Sequence, residues 1–195
     1  MEEINDDDID KMLLQLQKEL KKIKTETEEQ EDQPQERPGF HGPGFVLEIP
    51  AGFKETDRDK ATTIFFSKNR PEVLLVNPLK HAGLTFQTAT LDNEISVMDL
   101  EHERERIRQI LKQADGKNVF YDQGAVSGDT FALWFDYKSF AADERVYNMM
   151  FLFLSGGKLI IGTFYCIFKD YDRWRPIILN MLGTIRTEEE ERERI

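Results

Sequence analysis

The sequence predicts an α+β fold: an antiparallel sheet of about six strands sandwiched by helices, with an extra amphipathic helix at the N-terminus. Three observations predict it. Residues 145–154 and 158–168 read as strands that are apolar on both faces, and 131–137 is nearly so. Side chains alternate along a strand, so Tyr147, Met149, Phe151 and Phe153 point one way while Val146, Met150, Leu152 and Leu154 point the other, and both faces need cover. The joints Ser127-Gly128-Asp129, Ala141-Ala142-Asp143-Glu144 and Ser155-Gly156-Gly157 are short enough to fold these strands back as antiparallel hairpins. Helical periodicity before and after the strands supplies the cover.

The first element is an N-terminal arm, residues 1–24. Asp6, Asp7, Asp8 and Asp10 oppose the positive end of a helix dipole, and Ile9, Met12, Leu13, Leu16, Leu20 and Ile23 recur on one stripe. Lys18, Lys21, Lys22 and Lys24 gather towards the C-terminal end. A lone helix of this length is marginal in water, so the stripe either covers the domain's own sheet or grips a partner. Residues 25–43 form a polar linker that closes with turn-forming glycines in Pro38-Gly39-Phe40-His41-Gly42-Pro43-Gly44.

A globular domain at 44–187 follows. Short strands are expected at 45–49, 62–66, 73–76 and 84–90, as edge and near-edge strands. Residues 95–114 form a helix whose stripe is Val97, Leu100, Ile107, Leu111 and Ala114, with Gly116 just past its end. Arg104 interrupts that stripe; a long arginine lays its stem on apolar surface and keeps its head in water. A short strand at 119–121 leads into the three long strands. The last helix, 172–182, buries Tyr171, Trp174, Ile177, Ile178, Met181 and Leu182, with Asp172 capping it and Gly183 in the left-handed cap position. Pro176 belongs to the first turn or close to it, because deeper in a helix it forfeits a hydrogen bond at a cost of about 3 kcal/mol. Residues 188–195 are a charged tail.

Composition narrows the function. The 195 residues carry a net charge of −11, which favours solubility and repels phosphate backbones, so nucleic-acid binding is disfavoured. A cationic partner or the basic face of another protein is compatible with it. A single cysteine, Cys166, sits inside an apolar strand and is expected to be core. The acidic opening residues do not form a signal peptide, and no apolar stretch reaches the roughly 18 residues of a membrane span. The expectation is a soluble cytoplasmic protein.

Catalytic and metal signatures are missing from the sequence. His102-Glu103 begins like a zinc-protease helix, but Arg106 stands where the second histidine belongs; His41 and His81 have no partner at ligand spacing. Asn5-Asp6-Asp7-Asp8 lacks the glycine and terminal glutamate of a calcium loop. No nucleophile elbow or phosphate-binding loop is present. No enzyme, no metal and no cofactor are expected. Three polar residues break the apolar strands, Asp136 and Lys138 on the face of Trp134, and Asn148 on the face of Val146, Met150 and Leu152. The plain expectation sets them near strand ends or at a wet margin of the sheet; if buried, they need partners and could line a pocket.

The run Gly44-Phe45-Val46-Leu47-Glu48-Ile49-Pro50-Ala51-Gly52-Phe53 resembles the opening motif of PsbP-like and Mog-like domains, including the bacterial DcrB group. The helix at 95–114, the strands over 131–168 and the ending Thr184-Ile185-Arg186 after the last helix match that group's order of elements. The resemblance spans 44–187. It implies an α/β/α sandwich around an antiparallel sheet, generally without catalysis, in proteins that serve as assembly subunits, as regulators that bind a small GTPase, or as chaperones sheltering apolar segments. The arm at 1–24 has no counterpart there.

The functional expectation is therefore a non-catalytic cytoplasmic protein-binding module, an adaptor or chaperone for an apolar segment of a partner. Ile9, Met12, Leu13, Leu16, Leu20 and Ile23 are its candidate partner-binding residues. The alternative is a small-molecule-binding domain or an enzyme with a pocket on the sheet, where Trp134, Asp136 or Asn148 would converge with a histidine or carboxylate. Pairing of arms in a homodimer is the third arrangement that the sequence allows.

Overall fold

The computed structural model describes residues 37–56, 71–89, 95–141 and 144–188. In chain order these hold strands β1 (Gly39–Gly42), β2 (Phe45–Glu48), β3 (Lys54–Glu55), β4 (Val73–Asn77) and β5 (Ala82–Ala89). Helix α1 (Leu100–Ala114) follows, then β6 (Val119–Ser127), β7 (Phe131–Phe140), β8 (Arg145–Ser155), β9 (Lys158–Ile167), helix α2 (Tyr171–Leu182) and β10 (Arg186–Thr187). The arm at 1–24, most of the linker, the strand expected at 62–66 and the end of the charged tail lie outside the described residues.

Seven strands form the main sheet in the order β3-β4-β5-β9-β8-β7-β6, every neighbour antiparallel. The three expected hairpins hold. Between β8 and β9, Ser155 pairs with Lys158 across Gly156 and Gly157, both at positive φ (55° and 72°), the conformation a two-residue hairpin turn needs. A second, three-stranded sheet, β1-β2-β10, lies beside it.

The two faces of the main sheet have separate cores. On one, α2 supplies Trp174, Ile178, Met181 and Leu182, and β2 supplies Phe45 and Leu47, against Trp134, Met149, Phe151, Phe153, Ile160 and Phe164. On the other, Leu100 and Ile107 of α1 pack on Leu133, Phe135, Tyr137, Leu152 and Ile161. The alternation read along β8 is thus the division between these layers. Gly162 faces Phe151 across the β8–β9 ladder, and a Cβ there would fall inside the phenyl ring; the glycine lets that ring lie flat on the neighbouring strand.

Several expectations need correction. The glycine run at 38–44 is not only turn punctuation: residues 39–42 form β1, paired with β2. Strand 45–49 joins the small sheet rather than the main one, with Arg186 opposite Val46 and Thr187 opposite Phe45. The short strand expected at 119–121 runs on to Ser127. Val97 lies in a 3-10 turn, Val97–Asp99, whose tighter winding rotates it off the α1 stripe, and it is exposed; Ala114 is exposed too. The Arg104 head is buried, because the longer β6 passes over it: Nη1 donates to the Gly124 carbonyl (3.4 Å) and Nη2 to Glu101 Oε1 (3.1 Å). Asp170, not Asp172, is the N-cap of α2; Pro176 falls inside the helix on its exposed side, and Gly183 is right-handed (φ −67°).

Cys166 is core, as expected: it is buried, and burial first, then the charge of Asp170, pushes its thiol up to about 12. Burial likewise pushes the Tyr137 phenol up to about 12. An unfolded chain releases these protons near their ordinary values of 9.0 and 10.0, whereas the folded chain holds them to about 12, so stability falls as pH rises through that window. Chemical denaturation at pH 8 and pH 10.5 should show a lower midpoint at the higher pH, and Cys166 should resist a thiol reagent at pH 8 until the chain unfolds. Rapid labelling of the native protein would contradict its placement.

Candidate functional site

Two concave places lie on opposite faces of the sheet and share β6. The first is a cavity of about 350 Å³ under the start of α2. A β-bulge builds it. Phe120 pairs with Tyr137 and Gln123 with Phe135, so Tyr121 and Asp122 together stand opposite the single residue Asp136. The extra residue turns the Asp122 amide inward, where it donates to Asp136 Oδ1 at 2.8 Å.

Asp136 is only 2% exposed and fully engaged. Its Oδ2 accepts from the Tyr147 hydroxyl (2.9 Å) and from Arg175 Nε (3.1 Å), while Arg175 Nη2 reaches Asp122 Oδ2 at 2.7 Å. The Arg175 guanidinium lies over the Trp134 ring, 5.1 Å from its centre. Burial, then the adjacent Asp136 charge and hydrogen bond, holds the Tyr147 phenol far above its ordinary value, so it stays a donor. Burial works against the Arg175 charge, but Asp136, Tyr147 and Asp122 together outweigh it and keep the guanidinium protonated more firmly than usual.

The outer wall is aromatic. Phe168 stacks on Tyr171 (5.1 Å between centres), Tyr121 leans on Phe168 (6.1 Å) and Tyr147 on Tyr171 (5.6 Å). Asp172 and Asp122 stand at the rim, Asp122 with its side chain 68% exposed. A hydrogen bond to Asp172, together with that carboxylate's charge, raises the Tyr171 phenol. Lys138 is placed behind the wall, its Nζ 5.1 Å from the centre of Phe168.

The second place is a groove of about 500 Å³ between the start of α1 and β6. Val97, Met98, Ala125, Phe131 and Leu133 make it apolar, and Met98 is 91% exposed. Arg104 lines it too, and its buried Nε has no hydrogen-bond acceptor. Among the described residues β6 pairs with β7 alone, so it is an edge strand there, its Gly124 carbonyl accepting from Arg104 Nη1.

The polar residues singled out from the sequence separate here. Asp136 is buried, not at a wet margin, and joins Trp134 in the first site. Asn148 is buried on the other face, its amide donating to Ser139 Oγ (2.8 Å) and to the Val146 carbonyl (3.3 Å), and takes no part. His41, His81 and His102 are exposed and lie outside both sites. Sequence reasoning missed Asp122, Tyr147 and Arg175. A lone aspartate on an apolar strand was the signal that a cation must face it, and Arg175 follows Tyr171 by one helical turn. Ile9, Met12, Leu13, Leu16, Leu20 and Ile23 lie outside the described residues. Among the described residues no group of three histidine, cysteine or acidic side chains is placed to hold a metal, and no helix is long and apolar enough to cross a membrane.

The fold is PsbP-like and Mog-like. The solution structure of the cyanobacterial PsbP from Synechocystis sp. PCC 6803 matches with a TM-score of 0.58 at 12% identity, over 77% of this chain and 91% of that one. The Saccharomyces cerevisiae Ran-binding protein Mog1p matches with a TM-score of 0.48 at 11% identity, over 77% and 93%. LpqN of Mycobacterium tuberculosis, involved in cell envelope biogenesis, matches with a TM-score of 0.46 at 10% identity, over 76% and 88%. At such identities the likeness is one of fold. No sequence family and no curated protein matches the chain.

Proposed function

We propose that this chain is a non-catalytic protein-binding module that works in the cytoplasm as an adaptor or chaperone for an apolar segment of a partner protein. One observation supports this most: the regular part of β6, from Gln123 to Ser127, is an edge of the main sheet among the described residues and lies against the apolar groove of Val97, Met98, Phe131 and Leu133, with only its Gly124 carbonyl engaged, by Arg104, among the backbone bonds seen there outside the β6–β7 ladder. An extended segment added to β6 gains main-chain hydrogen bonds whatever its sequence, and the groove selects apolar side chains. The buried, unmatched Nε of Arg104 supplies one more donor for a carbonyl of such a segment. In the α2 cavity the polar groups at the centre are committed to one another, an arrangement suited to holding shape rather than to moving protons.

The stripe Ile9, Met12, Leu13, Leu16, Leu20 and Ile23 enters the same reading as a second apolar surface, on an arm (1–24) joined by a linker (25–43) to the domain (44–187) with its tail (188–195). The test is an array of random decapeptides probed with the full chain. Apolar peptides should be retained preferentially, and Met98→Glu or Ala125→Glu, both at exposed positions, should cut retention about tenfold, equivalent to about 1.4 kcal/mol. Equal retention by the variants would refute the groove. Wild-type dimers that Met98→Glu converts to monomers in sedimentation would show a second copy in the groove instead.

A further inference from the structure

We infer that the cavity under α2 is a binding site for an organic cation, an ammonium or guanidinium carried on a short apolar stem. Three features of the cavity carry this beyond an acidic patch. It is a walled space of about 350 Å³, near the lower end of ligand pockets and suited to something the size of one long side chain. Its carboxylates outnumber its cations: Asp122, Asp136 and Asp172 face Arg175 alone, which leaves a surplus of two negative charges along the lining. Lys138, behind Phe168, offsets one of them from outside the lining. Asp136 is matched by Arg175 Nε and Tyr147, and Asp122 shares the same guanidinium through Nη2, so the surplus sits at the rim, on Asp172 and in part on Asp122.

The third feature is the wall. Tyr121, Phe168 and Tyr171 line the cavity, and the chain's own cations already use rings of this neighbourhood, Arg175 on Trp134 and Lys138 on Phe168. Ring faces attract cations, and the attraction strengthens as water is excluded. An anion would meet the rim carboxylates and a guanidinium that is already doubly paired. A neutral apolar molecule would gain nothing from the negative charge at the rim, where, among the described residues, Asp122 has only a shared guanidinium and Asp172 only a phenol as partner. The stem of an alkylammonium or alkylguanidinium lies along Tyr121 and Leu179, while its head reaches Asp122 and Asp172.

This inference uses the face of the sheet opposite the groove and stands or falls apart from the strand-docking reading. The experiment is amide NMR titration of the full chain with agmatine, cadaverine, the blocked tripeptide acetyl-Gly-Arg-Gly-amide, and glutarate as an anion of similar length. Saturable shifts are expected at Asp122, Tyr171 and the Trp134 indole with the cations and none with glutarate. The double variant Asp122→Asn/Asp172→Asn should weaken the cations at least tenfold, and Tyr171→Ala should do so separately. Both aspartates are exposed, so those variants keep the fold. Tighter binding of the tripeptide than of agmatine identifies a protein side chain as the source of the cation; the reverse identifies a free amine. Absence of saturable shifts, equal binding by the double variant, or equal binding of glutarate would overturn the site.

Discussion

Phe45→Ala is expected to destabilise the domain by about 4 kcal/mol, the cost of emptying a fully buried aromatic site. Phe45 is the bolt between the two sheets. Its ring stands 5.1 Å from that of Phe86 on β5 and 5.1 Å, edge on, from that of Phe153 on β8, while its backbone belongs to β2 of the small sheet. All three rings are fully buried. Removing one leaves a cavity whose other walls cannot close, because Phe86 is itself held by Phe40 and Phe151. Thermal unfolding should move down by roughly 8–16 °C for a domain of this size. Phe45→Leu should cost well under half as much. A loss below about 1.5 kcal/mol for Phe45→Ala would mean that the small sheet is not anchored through this ring.

Asp136→Ala is expected to cost about 3 kcal/mol, towards the lower end for removal of one member of a buried ion pair, since Arg175 retains partial access to water. The loss comes from what is left behind. The Tyr147 hydroxyl, the Asp122 amide and Arg175 Nε all lose their acceptor at once. Arg175→Ala should cost less, because Asp136 keeps two of its three donors. In a double-mutant cycle Arg175→Ala should cost clearly less once Asp136 is gone, what remains being its pair with Asp122 and its contact with Trp134. Additive losses would show that the two side chains are not coupled.

The long strands and both helices were legible because their signals are local. Alternation along residues 145–155 and the 3.6-residue stripes of α1 and α2 depend only on neighbours in sequence. The resemblance read from Gly44 to Phe53 and from the ending at Ile185 was equally local, and the fold bears it out. The candidate sites were less legible. Asp136 could be seen to need a partner, but which cation answered it was fixed by the packing of α2 across β7, 39 residues away in sequence. The bulge that turns the Asp122 amide inward has no glycine or proline at Tyr121 and Asp122 to mark it, and β6 reads as a short strand because Asp122, Gln123 and Gly124 interrupt its apolar residues. Arg104 shows the same limit: its burial follows from β6 lying over it, not from anything in α1.

The sequence by itself determined that the central strands must be covered on both sides, that they turn back antiparallel, and that the chain carries two domain helices of the right length and polarity to do the covering. Tertiary structure alone decided how the cover is shared. Each face has its own helix, and the small sheet assists α2 through Phe45 and Leu47. It also decided where the concave places fall, because a cavity forms between elements whose facing residues are set by three-dimensional packing. An amphipathic stripe states how much apolar surface must be hidden, but not against which neighbour, since burial rewards area without regard to address.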